Sequence, residues 1–141
     1  MMGNIMRRIF AFALATTAIF GSTRIAVAAS TTSHSASCWG NGNTADITEC
    51  FVGSASKADV ELNRLYQKIS LVLDPANLRQ LQEAERRWIA YRDANCKAER
   101  SLWEGGTGAN PAYWACIDDE TKHRLDYLQT TYRLRLQKLE N

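Results

Sequence analysis

The chain has 141 residues, 45% of them hydrophobic and 23% charged, with 17 basic and 15 acidic side chains and a formal charge of +2. That length makes one ordinary domain once a leader is set aside. The near-balance of charge excludes both the basic face of a nucleic-acid binder and the polybasic cluster of a membrane-surface protein.

Residues 1–28 read as an export signal. Arg7 and Arg8 supply the charge, Ile9 to Gly21 make an apolar run too short to span a bilayer, and Ala26-Val27-Ala28 offers a small-x-small cleavage site. The mature chain is expected to begin at Ala29 and, without Arg7, Arg8 and Arg24, to carry 14 basic against 15 acidic residues. No cysteine follows the cut directly, so no membrane anchor is expected after signal cleavage, and the destination is the periplasm or the medium. Residues 29–37 are mostly Ser, Thr and Ala, which bury too little to order themselves, and are expected to form a flexible leader. The folded domain is expected over residues 38–141, with Trp39 the large apolar group available to dock its first segment.

Cys38, Cys50, Cys96 and Cys116 in a small exported chain read as two disulfides. Their spacing contains no C-x2-C pair, so no metal site is expected. Loop length favours Cys38 with Cys50 and Cys96 with Cys116, and the other two connectivities stay open at this point.

Thr44 or Asp46 can cap a first helix, on which Ile47, Phe51, Ala58, Leu62, Leu65, Ile69 and Val72 follow helical spacing with Tyr66 beside them. Asp74-Pro75 ends it and suits the start of a second helix, expected from Pro75 to Trp103, with Leu78, Leu81, Trp88, Cys96 and Leu102 on or near one stripe. Glu85, Arg92 and Glu99 recur every seven residues in the neighbouring row. Within this helix Trp88 to Cys96 is the densest stretch of the chain, and phasing makes it scaffold: Trp88 in the seam, Arg92 and Asp93 as bridge formers, Cys96 as a staple. Arg92 is either a snorkelling side chain with a wet head or a buried bridge to a carboxylate on another helix.

Three glycines and a proline between Glu104 and Pro111 break the helix. A third helix is expected from Ala112 to Lys138, with Trp114, Ile117, Thr121, Leu125, Leu128, Tyr132 and Leu139 roughly in phase. Its basic last turn, with Arg133, Arg135 and Lys138, complements the helix dipole. Three helices with short connections give an all-α, antiparallel, up-down-up bundle, stapled at one end by the two disulfides.

Thr48-Glu49-Cys50, Ala58-Asp59 with Leu62-Asn63 and Tyr66, Trp88-Ile89 with Tyr91-Arg92-Asp93 and Cys96, Glu104-Gly105-Gly106-Thr107, and Cys116 with Thr121 and Arg124 occur in order. This set resembles the LprI-like lysozyme inhibitor N-terminal domain family of exported bacterial proteins, over roughly Cys38 to Leu128. The resemblance implies binding and inhibition of lysozyme at the cell envelope. The lipid anchor of the inhibitor that names the family is not expected here.

The residues themselves give little support to catalysis. His34 falls in the leader, His123 on the third helix, and neither is paired with a plausible free Ser or Cys. Asp118, Asp119 and Glu120 read as solvated charge near a helix start, so no catalytic or cofactor-binding residue is expected. A partner-binding loop is expected instead. Gly105 and Gly106 permit close backbone approach, Thr107 and Asn110 offer hydrogen bonds, and Trp103 and Tyr113 offer anchors, with Trp114 beside them. A competing reading makes Gly105 only the left-handed end of the second helix, with Trp103 and Trp114 in the core. The alternative function is a periplasmic structural or adaptor module that binds an envelope protein or a small ligand.

Overall fold

The computed structural model describes residues 38–40 and 42–139. The expected export signal, the leader and His34 lie outside these residues. Three helices, α1 (Thr44–Val72), α2 (Pro75–Ser101) and α3 (Ala109–Leu136), followed by a 3-10 turn at Gln137–Leu139, form the antiparallel up-down-up bundle, and no strand occurs among the described residues.

Local chemistry sets the helix limits. Asn43 caps α1, rather than Thr44 or Asp46. Its Oδ1 accepts from the amides of Ala45 and Asp46 at 2.8 and 3.2 Å, while Asp46 accepts from the Asn43 amide at 3.1 Å. This reciprocal capping box satisfies three amides, more than either expected cap alone would. Gly42, at φ 68°, turns the chain into that geometry, and the Asp46 carboxylate occupies the space a Cβ would need there. At the other end Asp74 caps α2 by accepting from the amides of Ala76 and Asn77 at 3.0 Å, and Pro75 occupies the first helical position.

The second connection differs from expectation at both ends. α2 stops at Ser101 because the next amides, of Leu102, Trp103 and Glu104, bond three residues back instead of four, and Gly105 then adopts φ 79°. Leu102, expected on the apolar stripe, is therefore turned out and 82% exposed. α3 starts at Ala109, ahead of the expected Ala112. Pro111 sits in the first turn, where an amide has no helical acceptor and its loss costs nothing. Leu139, expected on the α3 stripe, lies on the terminal 3-10 turn and is exposed.

α3 is the centre of the bundle. It packs along both other helices, running parallel to α1 and antiparallel to α2, while the backbones of α1 and α2 scarcely approach each other. A helix flanked on two sides must bury more than one stripe. α3 accordingly buries Pro111, Ala112, Ala115, Cys116, Ile117, Asp118, Thr121 and Leu128, whereas α2 buries only Leu81 and Cys96.

The core has two parts. Leu62, Leu65 and Ile69 of α1 meet Leu81 and Leu128 far from the disulfides, with Trp88, Leu125 and Tyr132 against them. Full burial of a side chain such as Ile69 or Leu128 contributes about 2 kcal/mol. Nearer the disulfides the core is built of small residues, Ala55 and Ala115 with Ile117 and the cystines, and Phe51 is the one large side chain fully buried there. Cys38 joins Cys50 and Cys96 joins Cys116, so both bridges staple the same end. Each contributes on the order of 3 kcal/mol by restricting the unfolded chain.

Candidate functional site

The Cys96–Cys116 bridge ties the end of α2 to the second turn of α3 and so fixes both feet of the Gly-rich connection. Of the expected loop residues, Trp103, Gly105, Gly106 and Thr107 lie in the connection, while Asn110 and Tyr113 lie one turn apart at the start of α3. Trp103 is not in the core; it is 49% exposed. Its indole lies close to Gly108, where an added Cβ would come within 2.5 Å of ring atom Cε3. The ring is thus held in place without being covered. Gly105 does end the helical turn in left-handed geometry, and Trp114 is partly buried, touching both parts of the small-residue core. The two readings of this loop therefore divide, with Gly105 and Trp114 serving the fold and Trp103 facing solvent.

Tyr113 is half-buried, edge-on to Trp114 at 5.4 Å, with the Arg100 guanidinium 6.0 Å above its ring. Thr107 and Asn110 are exposed. Thr107 Oγ1 meets the hydroxyl of Thr44 at 3.5 Å, which joins the loop to the first turn of α1. Beside that turn the chain between Cys38 and Cys50 closes over Phe51. Trp39 stands edge-on to Phe51, with centroids 5.1 Å apart, and is itself 49% exposed. Next to it an open concavity of about 520 Å³ is lined by the Cys38–Cys50 bridge, Asp46, Glu49, Gly53, Ser54 and Lys57.

Beneath this end runs a polar layer that the sequence showed only in part. The Arg92 side chain is only 15% exposed, and its head is engaged by neighbouring groups. It donates to Asp93 Oδ1 and to Thr121 Oγ1, each at 3.2 Å, approaches Asp59 of α1 at 3.8 Å, and stacks over Trp88 at 5.0 Å. Arg92 thereby touches all three helices. Thr121, fully buried, donates in turn to the Ile117 carbonyl at 2.7 Å.

A second pair joins Glu85 of α2 to Arg124 of α3, a partnership that the seven-residue row of Glu85, Arg92 and Glu99 does not reveal. A third buried group corrects an expectation: Asp118 is not part of a solvated face but fully buried, with Oδ2 accepting from Lys122 Nζ at 2.8 Å. Lys122 also donates to Ser54 Oγ at 2.9 Å. Asp118 Oδ1 has no hydrogen-bond partner. Lys122 is thus engaged by a carboxylate and a hydroxyl at once, which makes it a tie between α1 and α3. Among the described residues no group of three His, Cys, Asp or Glu side chains is placed to hold a metal, and all four cysteines are bridged.

A family model described as lysozyme inhibitor LprI matches residues 35–128. The chain belongs to the LprI family. The LprI segment takes in both disulfides, the Arg92, Thr121 and Arg124 layer and the whole Gly-rich connection, and it ends at Leu128, the fully buried anchor of α3. No curated protein and no solved structure matches the chain.

Proposed function

We propose that this LprI-family domain acts outside the cytoplasm, binds lysozyme and blocks its cleft with the connection between α2 and α3, without catalysis of its own. The observation that carries the reading is Trp103: a half-exposed indole held against Gly108, on a loop whose feet are locked by a disulfide. An aromatic anchor that is already ordered loses little entropy on binding, which is what an inhibitory loop requires. A lysozyme cleft works through two carboxyl groups flanking the scissile bond, so Thr107 and Asn110 supply donors while Trp103 supplies area. Two disulfides favour an oxidising compartment, in keeping with the export signal proposed for residues 1–28 and the leader that follows it. No described helix is long and apolar enough to cross a membrane.

The test is inhibition of cell-wall lysis by several lysozyme types with the purified mature chain. Potent, stoichiometric inhibition of at least one type is expected. Undiminished lysis at a large molar excess sinks the reading.

One observation favours a second reading, an adaptor that takes a small ligand. At the end away from the disulfides a groove of about 340 Å³ opens between α2 and α3, floored by Leu73, Leu81 and Leu128 and edged by Tyr127 and Arg135. Direct binding of an envelope component there, with lysozyme unaffected, would favour this alternative.

A further inference from the structure

We propose that the docking surface is two-sided: Trp39, in the segment closed by Cys38–Cys50, is a second aromatic anchor that engages the same lysozyme molecule as Trp103. The inference rests on the inhibitor reading and adds to it a residue from a different part of the chain.

Two large indoles stand half-exposed at one end of the bundle, each at 49%. Neither is loose. Trp103 is set against the backbone of Gly108, and Trp39 is set against Phe51, itself completely buried. Each segment is also tied covalently, the first to α1 by Cys38–Cys50 and the second across α2 and α3 by Cys96–Cys116. Holding one exposed aromatic this firmly has an ordinary structural explanation in packing. Two stand on separately stapled segments, and these segments meet through Thr44 and Thr107, beside the proposed inhibitory loop.

The chemistry of the surroundings fits a protein rather than a lipid surface. Asn43, Thr107 and Asn110 are exposed on the same two segments, and Asp46 and Glu49 line the concavity beside the Cys38–Cys50 bridge. Aromatic anchors in a hydrogen-bonding fringe, with one exposed aliphatic, Leu102, beside Trp103, are the arrangement of a protein interface. A membrane-docking face would instead gather its apolar groups into one plane with lysines and arginines around it. Because both rings are ordered before the partner arrives, each contributes contact area without a large ordering cost. The concavity of about 520 Å³ beside the Cys38–Cys50 bridge gives the partner a recess to enter on the side of that segment.

The experiment is hydroxyl-radical footprinting of the wild-type mature chain, alone and with a lysozyme type that it inhibits, read by mass spectrometry at each tryptophan. Protection of both Trp39 and Trp103 is expected, with Trp88 and Trp114 unchanged. Trp39→Ala and Trp103→Ala, assayed beside it, are each expected to weaken inhibition about tenfold or more, with helical content unchanged. Protection of Trp103 alone, with full potency in Trp39→Ala, overturns the second anchor and leaves the inhibitor reading standing. Inhibition with neither indole protected overturns the two-sided surface and moves the interface elsewhere. Failure of the wild-type chain to bind any lysozyme removes the inhibitor reading itself, and the second anchor with it.

Discussion

Arg124 of α3 lays its guanidinium against Glu85 of α2, with Nη2 and Nε 2.5 and 3.1 Å from Oε1, and both side chains are only 14% exposed. The same guanidinium stacks 5.8 Å from the centre of the Trp88 ring and 5.3 Å from that of Tyr127. Charge pairing and ring stacking at one head make this the main polar tie between α2 and α3 below the disulfide. Removing one partner of such a pair leaves the other desolvated and alone, which costs about 3 kcal/mol. Glu85→Ala should therefore lower the urea midpoint clearly without changing the slope. Arg124→Lys should also destabilise, because an ammonium reproduces neither the fork nor the stack. A change of a few tenths of a kcal/mol in either variant would show the pair to be solvated.

Asp118 and Lys122 predict an asymmetry. The Asp118 side chain is 1% exposed and that of Lys122 is 21% exposed. Lys122→Met strands a carboxylate that has no route to water and should cost about 3 kcal/mol or more. Asp118→Asn leaves an ammonium that can swing outward and should cost less, about 1–2 kcal/mol. Thermal denaturation of the two variants at neutral pH checks the order, and the reverse order would contradict this account.

The cap of α2 predicts a pH dependence. Hydrogen bonds from the Asn77 backbone, then from its side chain and from the Ala76 backbone, hold the Asp74 carboxyl below the usual carboxylate range. A depressed folded-state pKa means the cap's contribution is fully present above the ordinary carboxylate value and is lost as pH falls through the lower, folded one. Glu83, lowered by Arg87 and Arg86, acts in the same sense. Stability followed by far-ultraviolet circular dichroism should fall in this acidic window, and Asp74→Asn should flatten part of that fall. An unchanged acid profile in the variant would assign it to other carboxylates.

Loop chemistry separates from loop geometry. The double variant Thr107→Ala, Asn110→Ala removes donors from exposed positions and should weaken lysozyme inhibition with no loss of melting temperature. Gly105→Ala forces a side chain into left-handed geometry at φ 79° and should cost about 1 kcal/mol of stability. Inhibition curves and melts of the two variants test the distinction; equal potency in the double variant would place the interface away from this loop.

What the sequence made legible, and what it hid, follows from the physics of each feature. Leu62, Leu65 and Ile69 repeat on one face of α1, and repetition survives without knowing the partner helix, so the bundle was readable. Asp118 was not, because Asp118, Asp119 and Glu120 stand together like a solvated run, and only Lys122 one turn on hints at an internal pair. Glu85 showed only as one of a charged row and Arg124 only as part of the family resemblance, since their pairing depends on the register of α2 against α3. Ala55 and Ala115 carry no periodic signal, yet their size lets helices approach near the disulfides. Trp103 depended on a local detail, the tightening of the chain after Ser101, that decides which way a residue at a helix end faces.

The central place of α3 bears on how the molecule comes to exist. A chain emerging with its N-terminus first presents α1 and α2 before the helix that joins them, and until it arrives these two have only a few side chains, such as Leu81 against Leu62, Leu65 and Ile69, to bring together. Cys38–Cys50 can close early, within one short segment, whereas Cys96–Cys116 waits for the start of α3. The contacts between α1 and α3 span roughly half the chain, a separation that slows folding. The two bridges therefore differ in what each requires, the first only one short segment and the second the arrival of the helix on which most of the interior is built.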